Sequence, residues 1–98
     1  EMNDIYYFYY LEDRTVEVKL RRKSYKIKDS ITNIYNIVNH HCFIMPTPSI
    51  IVNIQHIRKI DGKNKKLILE NDEEVLISRR KYKEVFDALN RYMTNGEL

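Results

Sequence analysis

Apolar residues alternate with polar ones along most of this 98-residue chain, and the alternation gives way to a helical spacing in two places. Residues 5–11 (IYYFYYL) are dense in aromatics, as strands often are. Across 14–20, Val16, Val18 and Leu20 alternate with Thr15, Glu17 and Lys19, the period of a half-buried strand. Glu12-Asp13 predicts a turn before that strand, and Arg21-Arg22-Lys23 a turn after it. Tyr25 and Ile27 then alternate with Lys26 and Lys28, predicting a third strand. After Lys28 the period lengthens. Ile31, Ile34, Tyr35 and Val38 follow the i, i+3, i+4, i+7 spacing of an amphipathic helix. Asp29 or Ser30 suits its N-cap, and it should end near Asn39.

Phe43-Ile44-Met45 reads as a short strand. Pro46-Thr47-Pro48 holds both prolines of the chain. Proline cannot continue the ladder of a central strand, so a stiff exposed loop is expected. Residues 50–53 read as a helical turn, with a strand near 54–60. Asp61-Gly62 is the strongest turn signal. Leu67 and Leu69 alternate with Lys66, Ile68 and Glu70; Asn71-Asp72 marks a turn; Val75 and Ile77 continue the meander. Tyr82, Val85, Phe86 and Leu89 return to helical spacing, with Ser78 as the expected N-cap and fraying expected at 94–98. The order strands, helix, strands, helix predicts a mainly β protein, an antiparallel architecture with two short helices. No linker composition or repeat divides 1–98, so it reads as one domain. It opens on Glu1 without an initiator methionine, as expected of a domain excised from a longer protein.

Composition narrows the setting. Cys42 is the single cysteine, which excludes an intramolecular disulfide framework and suits a reducing, cytoplasmic compartment. No apolar run approaches the roughly 18 residues of a membrane span, and no signal peptide opens the chain. The net charge is +3 and the pI about 9.0. The distribution says more than the sum. Arg14, Lys19, Arg21, Arg22, Lys23, Lys26 and Lys28 crowd one region; Arg58, Lys59, Lys63, Lys65 and Lys66 a second; Arg79, Arg80, Lys81 and Lys83 a third. The acids gather at Glu70, Asp72, Glu73 and Glu74. Segregated basic clusters point to a polyanionic partner, although any one of them alone is more simply a solvated surface.

Catalytic signals are missing from the sequence. Both glycines, Gly62 and Gly96, stand alone, so no Gly-rich phosphate loop exists. No Ser-His-Asp or Cys-His motif stands out, and adjacent Glu73 and Glu74 would point to opposite faces of a strand. His40-His41-Cys42, with His56 elsewhere, is the one metal-like group. Structural zinc wants four spaced ligands, and histidines at a helix C-terminus are explained more cheaply by the dipole; no metal or cofactor is expected. The Tyr6-Tyr7, Tyr9-Tyr10 run could stack single-stranded bases, but core and surface alternation across a strand explains it more simply. Ser78-Arg79-Arg80-Lys81 is the sharper signal. Cations at a helix start oppose the macrodipole at a cost of up to about 1 kcal/mol each, and an anionic partner would compensate them.

The stretch Phe43-Ile44-Met45-Pro46-Thr47-Pro48-Ser49-Ile50-Ile51-Val52-Asn53 resembles the central signature of the LytTR DNA-binding family. That signature is a Phe, an Arg-x-His-Arg-Ser-like stretch, an apolar trio and an Asn; Phe43, Ser49, Ile50, Ile51, Val52 and Asn53 match it. Ile57-Arg58-Lys59-Ile60 and Val75-Leu76-Ile77-Ser78-Arg79-Arg80-Lys81-Tyr82 are similar to later family segments. The resemblance implies small antiparallel sheets in an elongated arrangement with short helices. It implies a bacterial transcription regulator whose loops enter successive major grooves, with tandem repeats of double-stranded DNA as partner. An upstream receiver domain of a two-component response regulator, and dimerisation on DNA, would go with it.

Carried over by position, Arg80 matches the family's contacting arginine with Arg79 and Lys81 beside it, the turn near Arg14 matches a DNA-contacting loop, and Ser49 matches the signature serine. Asn53 matches the signature asparagine and is expected to be structural. Met45, Thr47 and Pro48 stand where the family usually has Arg, His and Arg or Lys. Thr47 and Ser49 can still hydrogen-bond bases or phosphates, and Met45 or Pro48 can touch a thymine methyl, but none can fork onto guanine. Binding is then expected to lean on Arg79, Arg80 and the cations near Arg14. Two other readings stay open: a domain that has lost DNA and binds protein through the apolar 45–48 loop, and single-strand binding through the tyrosines.

Overall fold

The computed structural model of the chain describes residues 2–39 and 42–94. His40 and His41, and with them most of the metal-like group, lie outside the described residues, as do 95–98. Among the described residues, eight strands form two antiparallel sheets, joined by two helices and three 3-10 turns. The strands are β1 (Ile5–Glu12), β2 (Thr15–Leu20), β3 (Ser24–Lys28), β4 (Phe43–Thr47), β5 (Ile50–Asn53), β6 (Ile57–Asp61), β7 (Lys66–Leu69) and β8 (Glu74–Leu76). The helices are α1 (Ile31–Val38) and α2 (Tyr82–Thr94). The first sheet has strand order β3-β2-β1-β5-β4 and the second β6-β7-β8. The mainly β architecture with two short helices is therefore the one expected.

The β1, β5 and β4 part of the first sheet is covered on both sides, while β3 is exposed. Phe8, Val16, Val18, Phe43 and Ile51 pack with Ile34 and Val38 of α1. Tyr6, Ile44, Ile50 and Val52 pack with Leu67, Leu69 and Val75 of the second sheet and with Val85, Leu89 and Tyr92 of α2. Helix α1 starts where a capping side chain is available: the Ser30 hydroxyl accepts from the Asn33 amide at 3.0 Å. Its uncharged sequence buries Ile34 and Val38 and leaves Ile37 exposed.

Several expectations need correction. Residues 50–53 form strand β5, not a helical turn, and all four are buried. A 3-10 turn at Ile54–His56 then precedes β6. A strand covered on both faces shows no alternation, and periodicity cannot separate it from a buried helical turn. Strand β4 runs through Pro46 to Thr47, so the exposed loop shrinks to Pro48-Ser49. Pro46 is buried rather than exposed. The ladder tolerates it because β4 is an edge strand and its pairing with β5 shifts register between Ile44 and Thr47. The first turn is Asp13-Arg14, both left-handed, rather than Glu12-Asp13. Ile68, placed on a polar face by alternation, is buried in the central strand of the second sheet. Tyr25 and Phe86, expected in apolar faces, are exposed.

Asn53 has the structural role expected of it. It is 1% exposed, donates to the Ile5 carbonyl at 2.9 Å and accepts from the Gln55 amide at 2.9 Å. It ties β5 to the start of β1 and opens the 3-10 turn that leads into the second sheet. Asn53→Ala leaves buried backbone groups without partners and should lower stability by about 1–3 kcal/mol, read as a lower urea midpoint at unchanged slope.

Candidate nucleic-acid interface

The candidate residues come from three connections that the topology gathers at one end of the first sheet. Strand β1 pairs with β5 as far as Tyr9↔Ile50 and then runs on to Glu12, beyond the β4–β5 turn. The Tyr10 amide donates to the Ser49 carbonyl at 2.8 Å. The Tyr10 hydroxyl in turn accepts from the Arg14 amide at 3.4 Å. One tyrosine thus ties Pro48-Ser49 to Asp13-Arg14. The third connection is the 3-10 turn Arg79–Lys81. It is anchored to β4 through the Ser78 amide, which donates to the Pro46 carbonyl at 3.0 Å. Proline, lacking a ladder donor of its own, still supplies the acceptor that holds the arginine turn in place.

The start of α2 differs from expectation. The helix begins at Tyr82, and Ser78 makes no side-chain cap. Arg79, Arg80 and Lys81 form a separate turn ahead of the helix, not its first turn. The macrodipole cost inferred for these cations is correspondingly weaker, because that effect is confined to the helix ends. What marks them is the absence of internal compensation. Arg79 and Arg80 are exposed and have no ion-pair partner among the described residues. Lys81 is half-buried, with Glu84 at 3.7 Å, a surface pair worth little. Arg14 is exposed and likewise unpaired.

The remaining candidates differ in availability. Pro48 and Ser49 are exposed at the tip of the β4–β5 turn. The Thr47 hydroxyl accepts from the Ser49 amide at 3.2 Å, which stiffens the turn and leaves its O–H as a donor. Met45 is half-buried against the α1 side of the core. At the same pole, the Lys28 ammonium donates to the Asp13 carbonyl at 3.2 Å and the Thr15 hydroxyl at 3.0 Å, bracing the Arg14 turn. Alternation places Lys28 on the polar face of the third strand; its position beside Arg14 comes from the antiparallel pairing Thr15↔Lys28.

Two of the basic clusters come apart in three dimensions. Arg14 and the 21–23 turn lie at opposite ends of β2, about 20 Å apart at about 3.3 Å per residue. At the far end Arg21 is 3.9 Å from Glu70, and Arg58 pairs with Asp72 at 2.6 Å. The acidic 70–74 turn is there too, against the start of β1. Tyr6 stacks on His56 at 4.3 Å, His56 bonds Glu70 at 2.9 Å, and the Tyr7 hydroxyl donates to Glu73 at 3.2 Å. Burial pushes both phenols up, and the Glu73 carboxylate adds to the shift at Tyr7. Tyr6 and Tyr7 are therefore mortar between the sheets, and among the first four tyrosines only Tyr9 is open to solvent.

This geometry is that of a loop-presenting β scaffold with three arginines, Arg14, Arg79 and Arg80, exposed at one pole and without ion-pair partners among the described residues, and the sequence agrees: the profile described as LytTr DNA-binding domain matches residues 1–90. The chain belongs to the LytTr DNA-binding domain family. LytTr domains are defined as DNA-binding domains, not as an enzyme family. Among solved structures, the domain is similar to the LytTr DNA-binding domain of a Bacillus cereus protein described as a methyl-accepting/DNA response regulator. The two share 26% identity and a TM-score of 0.73, over 89% of this chain and 81% of that one. No curated protein matches the chain. No helix among the described residues of this LytTr domain is long and apolar enough to cross a membrane.

Proposed function

We propose that this LytTr domain binds double-stranded DNA sequence-specifically, as the output domain of a bacterial transcription regulator acting in the cytoplasm. The observation that carries the reading is the convergence of Asp13-Arg14, Pro48-Ser49 and Arg79–Lys81 at one pole, with three arginines there unpaired. Spaced turns on a rigid sheet suit insertion into successive major grooves, where Arg79 or Arg80 forks onto guanine and Thr47, Pro48 and Ser49 offer a hydroxyl donor and an apolar edge to other bases. Arg14 and Lys81 hold phosphates and set the register. The response-regulator description of the similar Bacillus cereus protein supports an upstream receiver domain, with tandem sites and dimerisation on DNA as its corollaries.

Selection from a randomised duplex pool tests the reading. A recurrent motif in tandem should be enriched at low salt. Failure to enrich any duplex would turn the assignment toward protein recognition, which the cation-free Pro48-Ser49 tip would serve equally well. Preferential capture of single strands would turn it toward base stacking, a role for which Tyr9 alone of the first four tyrosines is open.

A further inference from the structure

We propose that the β6–β7 turn, residues 62–65, is a further phosphate-holding loop, gripping the DNA backbone through Lys63 and Lys65 beside the arginine turn; this rests on the duplex-binding reading above. Nothing in the family signature quoted for this chain points to it. The observations are its position, its strain and its bracing.

Position comes first. The Lys65 carbonyl accepts from the Ile77 amide at 2.9 Å, and Lys66 pairs with Leu76, so the turn stands beside the residues that lead into Arg79–Lys81. The second sheet thus adds its own turn to the pole at which the first sheet presents Arg14, Pro48 and Ser49.

Strain is the sharper clue. Lys65 has φ 55°, the left-handed conformation disfavoured for any residue with a Cβ. Glycine or asparagine would suit that position better, and the turn contains both, yet neither Gly62 nor Asn64 occupies it. Among the described residues the left-handed non-glycine positions are Asp13, Arg14, Cys42, Lys65 and Asp72. The two cations among them are Arg14 and Lys65, and both sit at the DNA-facing pole. Local strain kept at a charged turn tip is a marker of function.

The turn is also preordered. The Asp61 carboxylate accepts from the Asn64 amide at 3.0 Å and from its side-chain amide at 2.9 Å. The Lys65 ammonium donates to the Gly62 carbonyl at 3.0 Å and lies 4.3 Å from the Tyr82 ring centre. Tyr82 follows Lys81 directly, so lysine and arginine turns are mounted on one element; Tyr82 is a positioning residue. An ammonium has three donors, so Lys65 keeps two for a phosphate. Lys63 is exposed and has no ion-pair partner among the described residues. Loop and side chain are ordered before binding, which reduces what association must still order.

The test is the salt dependence of binding to a short randomised duplex, measured for the full chain and for Lys63→Gln, Lys65→Gly and Lys23→Gln. Each phosphate contact contributes about 0.9 to the slope of log affinity against log salt. Lys63→Gln and Lys65→Gly should each lower the slope by about 0.9, so that between about 50 and 200 mM salt the deficit of either variant shrinks about 3.5-fold. Lys23→Gln, at the opposite pole, should leave it unchanged. Lys65→Gly relieves the left-handed backbone but gives up the bond to Gly62 and the contact with Tyr82, so its effects on stability oppose each other; the slopes are therefore compared at a temperature where circular dichroism shows every variant folded. Unchanged slopes in Lys63→Gln and Lys65→Gly, with the wild type still binding duplex, would overturn this inference alone. An equal drop in Lys23→Gln would overturn it too, since charge anywhere would then serve. A wild type that binds no duplex would overturn the underlying reading with it.

Discussion

Arg80→Ala should weaken binding to a selected duplex by about 1–3 kcal/mol, roughly 5- to 150-fold, if its guanidinium forks onto a guanine. The effect is expected to be large because this arginine has little local support to replace it. Its neighbouring tip, Pro48-Ser49, carries no cation, and neither does half-buried Met45. Arg80 itself is exposed and unpaired among the described residues, so the substitution removes no internal ion pair and should leave the fold as stable as before. Arg80→Lys separates the two contributions. It keeps the charge and most of the salt dependence, but a point ammonium cannot reproduce the planar fork, so discrimination between bases should fall. Fluorescence anisotropy on the selected site and on a scrambled one measures both. Equal affinity of wild type and Arg80→Ala for the selected site would remove Arg80 from base readout and shift it to Arg79.

Tyr6→Ala should cost about 3–5 kcal/mol of stability, the range for truncating a large buried aromatic. A domain of this kind has about 5–15 kcal/mol in all, so the variant should lose a large share of its stability and unfold at a much lower urea concentration. Tyr6 is 1% exposed and stacks on His56 where the two sheets meet. Its ring belongs to the core that unites β4, β5, the second sheet and α2. Tyr6→Phe keeps that packing and loses only a 3.4 Å bond to Glu70, whose carboxylate is also bonded by His56; its cost should stay within about 1 kcal/mol. Urea unfolding of the two variants decides. A Tyr6→Ala protein as stable as wild type but deficient in single-strand binding would make the aromatic strand a stacking platform after all. A ring with this burial has no face to offer a base.

The uneven legibility of the fold has physical causes. Val16 and Val18 alternate cleanly with Thr15, Glu17 and Lys19 because β2 has one face in the α1-side core and the other only partly covered. Helix α1 was legible down to its Ser30 cap because capping is a local bond between a side chain and the next turn. Strand β5 was not, because both its faces are covered and Ile50-Ile51-Val52 then has no period. Pro46 misled for a related reason. Whether proline breaks a strand depends on whether that strand is central or at the edge, and strand order is a tertiary property. Ser78 does not cap α2 because a 3-10 turn, Arg79–Lys81, intervenes between them.

The candidate site follows the same division. Which residues carry charge and which family signature the chain bears are local facts, and the sequence by itself determined them: Arg79 and Arg80 stand out as a cation run ahead of the last helix, and Arg14 is a candidate through the family resemblance. Their convergence was decided by the tertiary structure, because Tyr10, Pro46 and Ser78 join segments far apart in the chain through backbone hydrogen bonds that no periodicity encodes. The same folding divided clusters that are continuous in sequence. It sent Arg14 to one pole and Arg21, Arg22 and Lys23 to the other, since a strand carries its two ends about 20 Å apart at about 3.3 Å per residue. It also placed Lys65 beside the arginine turn, through the ladder that pairs β7 with β8. Charge is a property of residues, whereas a charged surface depends on which strands pair and in what register.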